Sequence, residues 1–212
     1  RLIHVPDGVY DRGGSRTNRI EAKRVVDFIC EHVKKHGSKY SLGVISLSLA
    51  QEEAILDELE RRKTTEPDLS SVLGEEGDEP FFVKALEKVQ GDERDIIVIS
   101  IGYGRDQNGV LRHNFGPINQ TGGERRLNVA VTRARHQTTV ISSILPHELD
   151  LARLTNGRDG VVRLQQYLEY AKNNGKFSEQ VASRDSEELN EFEMAVKVAL
   201  EAKGLTVDGQ VG

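Results

Sequence analysis

The feature that most constrains this chain is the run Ile96–Ile101, IIVISI, which is β-branched and broken only by Ser100. A strand with one wet face alternates apolar and polar residues, whereas a strand covered on both faces has no need to. The run therefore predicts an interior strand of a parallel sheet. Strand–helix alternation on either side, in LGVISLSLAQEEAILDEL before it and GGERRLNVAVTRAR then QTTVISS after it, predicts an α/β fold. Ligands of such sheets gather at the carboxyl ends of strands.

Helix signals agree. Asn18 is a predicted N-cap, and Glu21 three residues on completes a capping-box pair. The helix that follows carries Ala22, Val25, Val26, Ile29 and Val33 on one side and stops near Gly37. Ser48 caps a second helix, with Ala54, Ile55 and Leu59 facing inward. In Arg126–Arg135, Leu127, Val131 and Ala134 fall at helical spacing, which leaves Arg126, Val129 and Arg133 on another face. Val161, Leu164, Leu168 and Ala171 predict a further helix, and Leu189, Phe192, Val196 and Leu200 one more.

Composition narrows the class. Of 212 residues 37% are hydrophobic and 30% charged, a globular balance. No apolar run approaches the roughly 20 residues of a membrane span, and the first residues lack a signal-peptide core. Cys30, the one cysteine, excludes an internal disulfide and a cysteine-based zinc cluster. It reads as a packing residue in a reducing compartment, so a cytoplasmic setting is expected. A net charge of -5 argues against gripping nucleic acid by bulk electrostatics. Acids crowd the loop Glu66–Glu79, and arginines 125, 126, 133 and 135 crowd another segment. The start at Arg1 and the stop at Gly212 suggest a piece of a larger protein.

The pair VQGDERDIIVIS and GERRLNVAVTRAR resembles motifs V and VI of superfamily 1 helicases, in the branch known for RNA surveillance and Okazaki-fragment processing. Two such strings in this order, with a strand between them, are far more specific than either alone. LGVISLSLAQ is similar to motif IV. The resemblance covers about Asn18–Ser143. It implies a RecA-like (P-loop NTPase-type) parallel sheet flanked by helices, with a C-terminal helical appendage. It also implies that the chain is the second RecA-like domain of an ATP-dependent helicase.

By that resemblance Arg133 is the motif VI arginine finger, Glu93 the motif V carboxylate near the nucleotide ribose, and Gly91 the glycine that allows close approach. Arg126 and Asn128 support them. Gln51, Lys88 and Gln90 are nucleic-acid contacts. Ala85, Leu86 and Glu87 stand where many relatives have Thr-Val-Asp, so one backbone contact is missing there. The bland alternative for Arg133 is an arginine in an exposed ion pair on a helix surface.

No G-x-x-x-x-G-K-[ST] sequence occurs. The implied ATP and Mg²⁺ would then be held mainly by a first RecA-like domain upstream, the implied partner alongside single-stranded DNA or RNA. No metal site of the chain's own is expected. Residues 1–150 are expected to form the RecA-like domain, 151–183 a helix and linker, and 184–212 the start of a domain similar to Vsr-like restriction endonucleases, with Glu193 a possible nuclease remnant. Two other readings stay open: a non-catalytic interaction module on the same fold, and the entrance to a nuclease. Glu93 and Arg133 are expected together at the carboxyl end of the sheet.

Overall fold

The computed structural model describes residues 1–66, 69, 70, 73, 79–154 and 158–176. In chain order the elements are β1 (Leu2–His4), α1 (Arg19–His36), β2 (Leu42–Ser46), α2 (Leu49–Lys63), β3 (Phe82–Ala85), β4 (Arg94–Ser100), α3 (Gly123–Val131), β5 (Ala134–Ser142) and α4 (Arg158–Lys172). The five strands form one sheet in the order β1-β5-β4-β2-β3, and every pairing is parallel. The expected RecA-like α/β architecture is what the chain adopts.

β4 is the central strand, and its side chains explain its composition. Ile97, Ile99 and Ile101 enter one core with Leu127, Val161, Leu164 and Leu168 from α3 and α4. Ile96 and Val98 enter the opposite core with Val25, Ile29, Ile55 and Leu59 from α1 and α2. Burial of each such side chain stabilises by about 1.5–3 kcal/mol, so covering both faces demands an apolar strand. Cys30 is buried in the α1 core, as its helical position predicted.

The compact unit runs from Arg1 to Lys176 and takes in α4. The reason is close packing of α4. Both α3 and α4 approach the backbone at Ile118 through a glycine, and a Cβ at Gly123 or Gly160 would fall 2.0 or 2.1 Å from its carbonyl oxygen. The expected linker, final helix, nuclease-like start and Glu193 lie outside the described residues.

At the carboxyl edge of the sheet α1 is fixed by a buried polar knot. Asn18 caps α1, its Oδ1 accepting the Glu21 N–H at 3.1 Å. The Glu21 side chain does not complete the capping box. Its Oε1 accepts from Ser100 Oγ at 2.8 Å and Gly102 N–H at 2.6 Å, and its Oε2 from the Ser143 N–H at 3.0 Å and Ser143 Oγ at 2.8 Å. One carboxylate thus ties the first turn of α1 to the ends of β4 and β5. Gln51 supplies the missing half of the cap, accepting the Asn18 N–H at 2.8 Å.

Burial is the largest influence on Glu21 and outweighs the four donors, raising its pKa from an ordinary 4.5 to about 7. A carboxyl whose folded-state pKa lies above its unfolded value contributes stability that is full below the unfolded pKa and lost as pH rises through the folded one. The buried His32, whose pKa is lowered mainly by burial, acts in the opposite direction. Comparing wild type with Glu21→Gln isolates the carboxyl. The melting temperature of wild type relative to Glu21→Gln should be highest at or below about pH 4.5 and should decline toward about pH 8. Parallel curves would show that Glu21 does not titrate in this window.

Candidate active site

The site follows from strand register. Arg94 at the start of β4 lies opposite Ala134 at the start of β5, and the Arg94 N–H donates to the Arg133 carbonyl at 3.1 Å. Two parallel strands that begin level make neighbours of the residues just before them, Glu93 and Arg133. Their side chains approach to 3.8 Å, Arg133 Nη1 to Glu93 Oε1.

This meeting point is the amino edge of the sheet, which corrects the expected carboxyl edge. The chain leaves β3 at the carboxyl edge, turns through the short 3-10 segment Leu86–Lys88, and must cross back before β4 can run parallel to β3. α3 performs the same return for β5. The residues that open a parallel strand necessarily lie at its amino end.

The helix expected to reach Arg135 stops at Val131, and Ala134 and Arg135 belong to β5. Arg133 therefore sits on the turn between α3 and β5. Its Nε donates to the Val129 carbonyl at 2.9 Å and its Nη2 to Thr132 Oγ1 at 3.1 Å. Among the described residues Nη1 has only the long contact to Glu93. The guanidinium is anchored at its base and leaves one edge for an incoming anion, with the side chain 20% exposed.

Nearby, Gly91 has φ +87°, and an added Cβ would meet nothing within 4 Å. The backbone conformation, not lack of space, is what calls for glycine. Gln90 is exposed beside it.

Two expected contacts are internal struts instead. Gln51 is buried, with Oε1 accepting the Asn18 N–H and Nε2 donating to the Asn18 carbonyl at 3.1 Å and to Ser100 Oγ at 3.4 Å. Its amide has no face left for nucleic acid. Arg126 donates through Nη1 to the Thr121 carbonyl at 3.0 Å and the Pro117 carbonyl at 3.3 Å, so it braces the loop before α3 rather than reaching toward Arg133. Lys88 lies at the carboxyl edge and is half-exposed, pairing with Glu52 at 3.0 Å. Asn128 is exposed on α3.

A second cluster at the amino edge was not anticipated. Arg135 Nε donates to Asp95 Oδ1 at 3.0 Å, its Nη2 to Ser41 Oγ at 3.2 Å, and both of its Nη groups bind Glu79. The Arg135 contact, with help from Ser41, holds Glu79 down at about 2. The only sequence signal was a charged residue in the second position of each of two strands, Asp95 in RDIIVIS and Arg135 in ARHQTTVIS. Among the described residues no group of three or more His, Cys, Asp or Glu side chains could hold a metal ion.

The domain family AAA_12, described as an AAA domain, matches residues 4–144. The chain belongs to this AAA_12 family. An uncharacterised ATP-dependent helicase of Mycoplasma genitalium is 35% identical over 205 residues, covering 92% of this chain and 17% of that protein. Its Mycoplasma pneumoniae homologue is 34% identical over 211 residues, again covering 17% of its own length. The AAA_12 chain thus spans about a sixth of the curated relatives it matches. A solved structure, the C-terminal domain of a possible DNA helicase from Lactobacillus plantarum WCFS1, overlaps 59% of this chain and 68% of its own at 18% identity with a TM-score of 0.37, too distant to add to the argument.

Burial separates struts from surface groups in this AAA_12 domain. Gln51→Ala strands the buried Asn18 N–H and should cost about 1–3 kcal/mol in urea unfolding. Lys88→Ala breaks a half-exposed pair and should cost at most about 1 kcal/mol. Equal midpoints for the two variants would contradict this division.

Proposed function

We propose that this chain is the second RecA-like motor domain of a superfamily 1 ATP-dependent helicase. The observation that carries the reading is the convergence of Glu93 and Arg133 at the amino edge, with one edge of the Arg133 guanidinium unengaged. Helicase-named relatives and the AAA_12 match support the general class. The fork of an arginine suits a phosphoryl group, and the open turn at Gly91 leaves room beside it.

In this reading ATP and Mg²⁺ are held mainly by a Walker A domain elsewhere in the protein, and bound nucleotide supplies the phosphoanhydride whose cleavage drives the motor. The residues of this chain do the rest. Arg133 neutralises charge that develops on the γ-phosphoryl oxygens. Glu93 orients that guanidinium in the open state and is free to turn to a ribose hydroxyl when the domains close. The short, stiff turn between α3 and β5 links Arg133 to the sheet, so closure and chemistry move together. Single-stranded DNA or RNA is the proposed track. The role of Gln51 is to lock α1 to β4 rather than to touch that track, and Arg126 is a loop brace.

In the full-length protein Arg133→Ala should lower ATPase turnover by about 10³–10⁵ while leaving the melting temperature close to wild type. Arg133→Lys should also fail, because lysine keeps charge without the planar fork. Arg158→Ala, at the exposed start of α4, is the neutral control. The isolated chain should show no Mg²⁺-dependent turnover above background. Robust turnover by the isolated chain, or matched rates for the Arg133 and Arg158 variants, would overturn the reading.

A further inference from the structure

The edge of the sheet opposite Arg133 carries a group of arginines without internal partners. In a chain with 34 acidic and 29 basic residues, arginines find carboxylates easily. Arg24, Arg61, Arg62, Arg105, Arg125, Arg135 and Arg153 all do so. Arg12, Arg16, Arg19 and Arg112 make no ion pair and no side-chain hydrogen bond to a described residue. The Arg12 Nε is buried with no acceptor among the described residues, and the Arg12 guanidinium lies over the Tyr10 ring at 5.7 Å.

Two loops bring these side chains together. The loop after β1 and the loop after β4 are zipped by a parallel bridge between Val9 and Arg105 and a 2.9 Å hydrogen bond from the Tyr10 N–H to the Arg105 carbonyl, while an antiparallel bridge between Arg105 and Leu111 folds the second loop on itself. Arg12 and Arg112 both act on Asp106, and Arg19 acts on Asp11.

These two aspartates offset part of the local charge without bonding to any of the four arginines. Asp11 accepts from the Gly14 N–H, the Ser15 N–H and Ser15 Oγ, and Asp106 from the Asn108 and Val110 N–H groups. Their oxygens hold the loops in shape. Gly13, Gly14, Ser15 and Arg16 are exposed, with Arg16 held at φ +58°, so the loop presents Arg16 outward beside the partly buried Arg12.

We propose that Arg12, Arg16 and Arg112, with Arg19 beside them, form a phosphodiester-binding rim that takes the backbone of single-stranded nucleic acid. The choice of nucleic acid among polyanions rests on the helicase reading, whereas the unpartnered guanidiniums stand apart from it. Four guanidiniums outnumber the two aspartates beside them, so an external chain of evenly spaced anions stabilises the group, and guanidinium forks fit phosphate oxygens. β4 and β5 span the sheet from this rim to the Glu93–Arg133 edge. A strand of the length of β4 reaches about 23 Å at ~3.3 Å per residue, so the two sites occupy opposite ends of the same rigid element.

The test is fluorescence anisotropy of the purified chain with a labelled oligo-dT of roughly 20 nucleotides, a length that covers one or more single-strand sites, across a salt series without ATP. Arg12→Ala/Arg16→Ala should weaken binding at least tenfold at low salt. The slope of log affinity against log salt should become shallower by about 1.4, two phosphate contacts at ~0.7 each. Arg12→Lys/Arg16→Lys should keep most of the slope, which guards against misfolding of the alanine variant. Lys35→Ala/Lys39→Ala removes the same charge from the other edge and should match wild type. An unchanged slope in the arginine-to-alanine variant, an equal loss in the lysine variant, equal affinity for polyglutamate, or no binding by wild type at low salt would each overturn the rim. None of these outcomes touches the ATPase test of Arg133, so the two proposals fail separately.

Discussion

The parallel pairing of β4 between β5 and β2 is the constraint on which the other features depend. Because all strands run the same way, every connection must return across the sheet, and the return paths decide what sits at each edge. α3 and the segment after β3 deliver Arg133 and Glu93 to the amino edge. The loops after β1 and β4 deliver Arg12, Arg16 and Arg112 to the carboxyl edge. β4 can occupy the centre only because its apolar side chains satisfy a core on each face.

Polar groups fasten the two edges in different ways. At the carboxyl edge a single buried carboxylate, Glu21, gathers donors from Ser100, Gly102 and Ser143. Asn18 donates to Ser143 Oγ and Gln51 to Ser100 Oγ, which orients both hydroxyls toward Glu21. Such a network is costly to disturb because every member depends on the next. The amino edge uses exposed ion pairs, with Arg135 joining Asp95 and Glu79 across β4 and the segment before β3. Exposed pairs contribute little individually and rearrange readily. The carboxyl edge is thus a rigid knot and the amino edge a set of adjustable charges.

Several residues changed meaning between string and structure. Gln51 has the chemistry of a ligand contact and the position of a helix cap, and burial decides for the cap. Arg126 and Arg133 share a motif, yet Arg126 turns back onto the Thr121 and Pro117 carbonyls while Arg133 keeps an open edge. The helix holding both was expected to run to Arg135. β5 claims the last residues instead, since Arg94 pairs opposite Ala134. Ladder hydrogen bonds to a central strand outweigh the modest helical preference of alanine and arginine.

The amino-acid order alone determined the α/β class, the interior position of Ile96–Ile101, the Asn18 and Ser48 caps, the Gly37 stop and the apolar stripe of α4. Each rests on interactions within a few residues or on periodicity, which a linear string records. Only the tertiary structure decided that Glu93 and Arg133 meet at the amino edge, that Glu21 binds β4 and β5 rather than its own cap, and that loops nearly a hundred residues apart, around Tyr10 and Arg105, join at one rim. Those outcomes depend on which strand lies beside which and at what level each begins, and side-chain type and spacing carry no record of either.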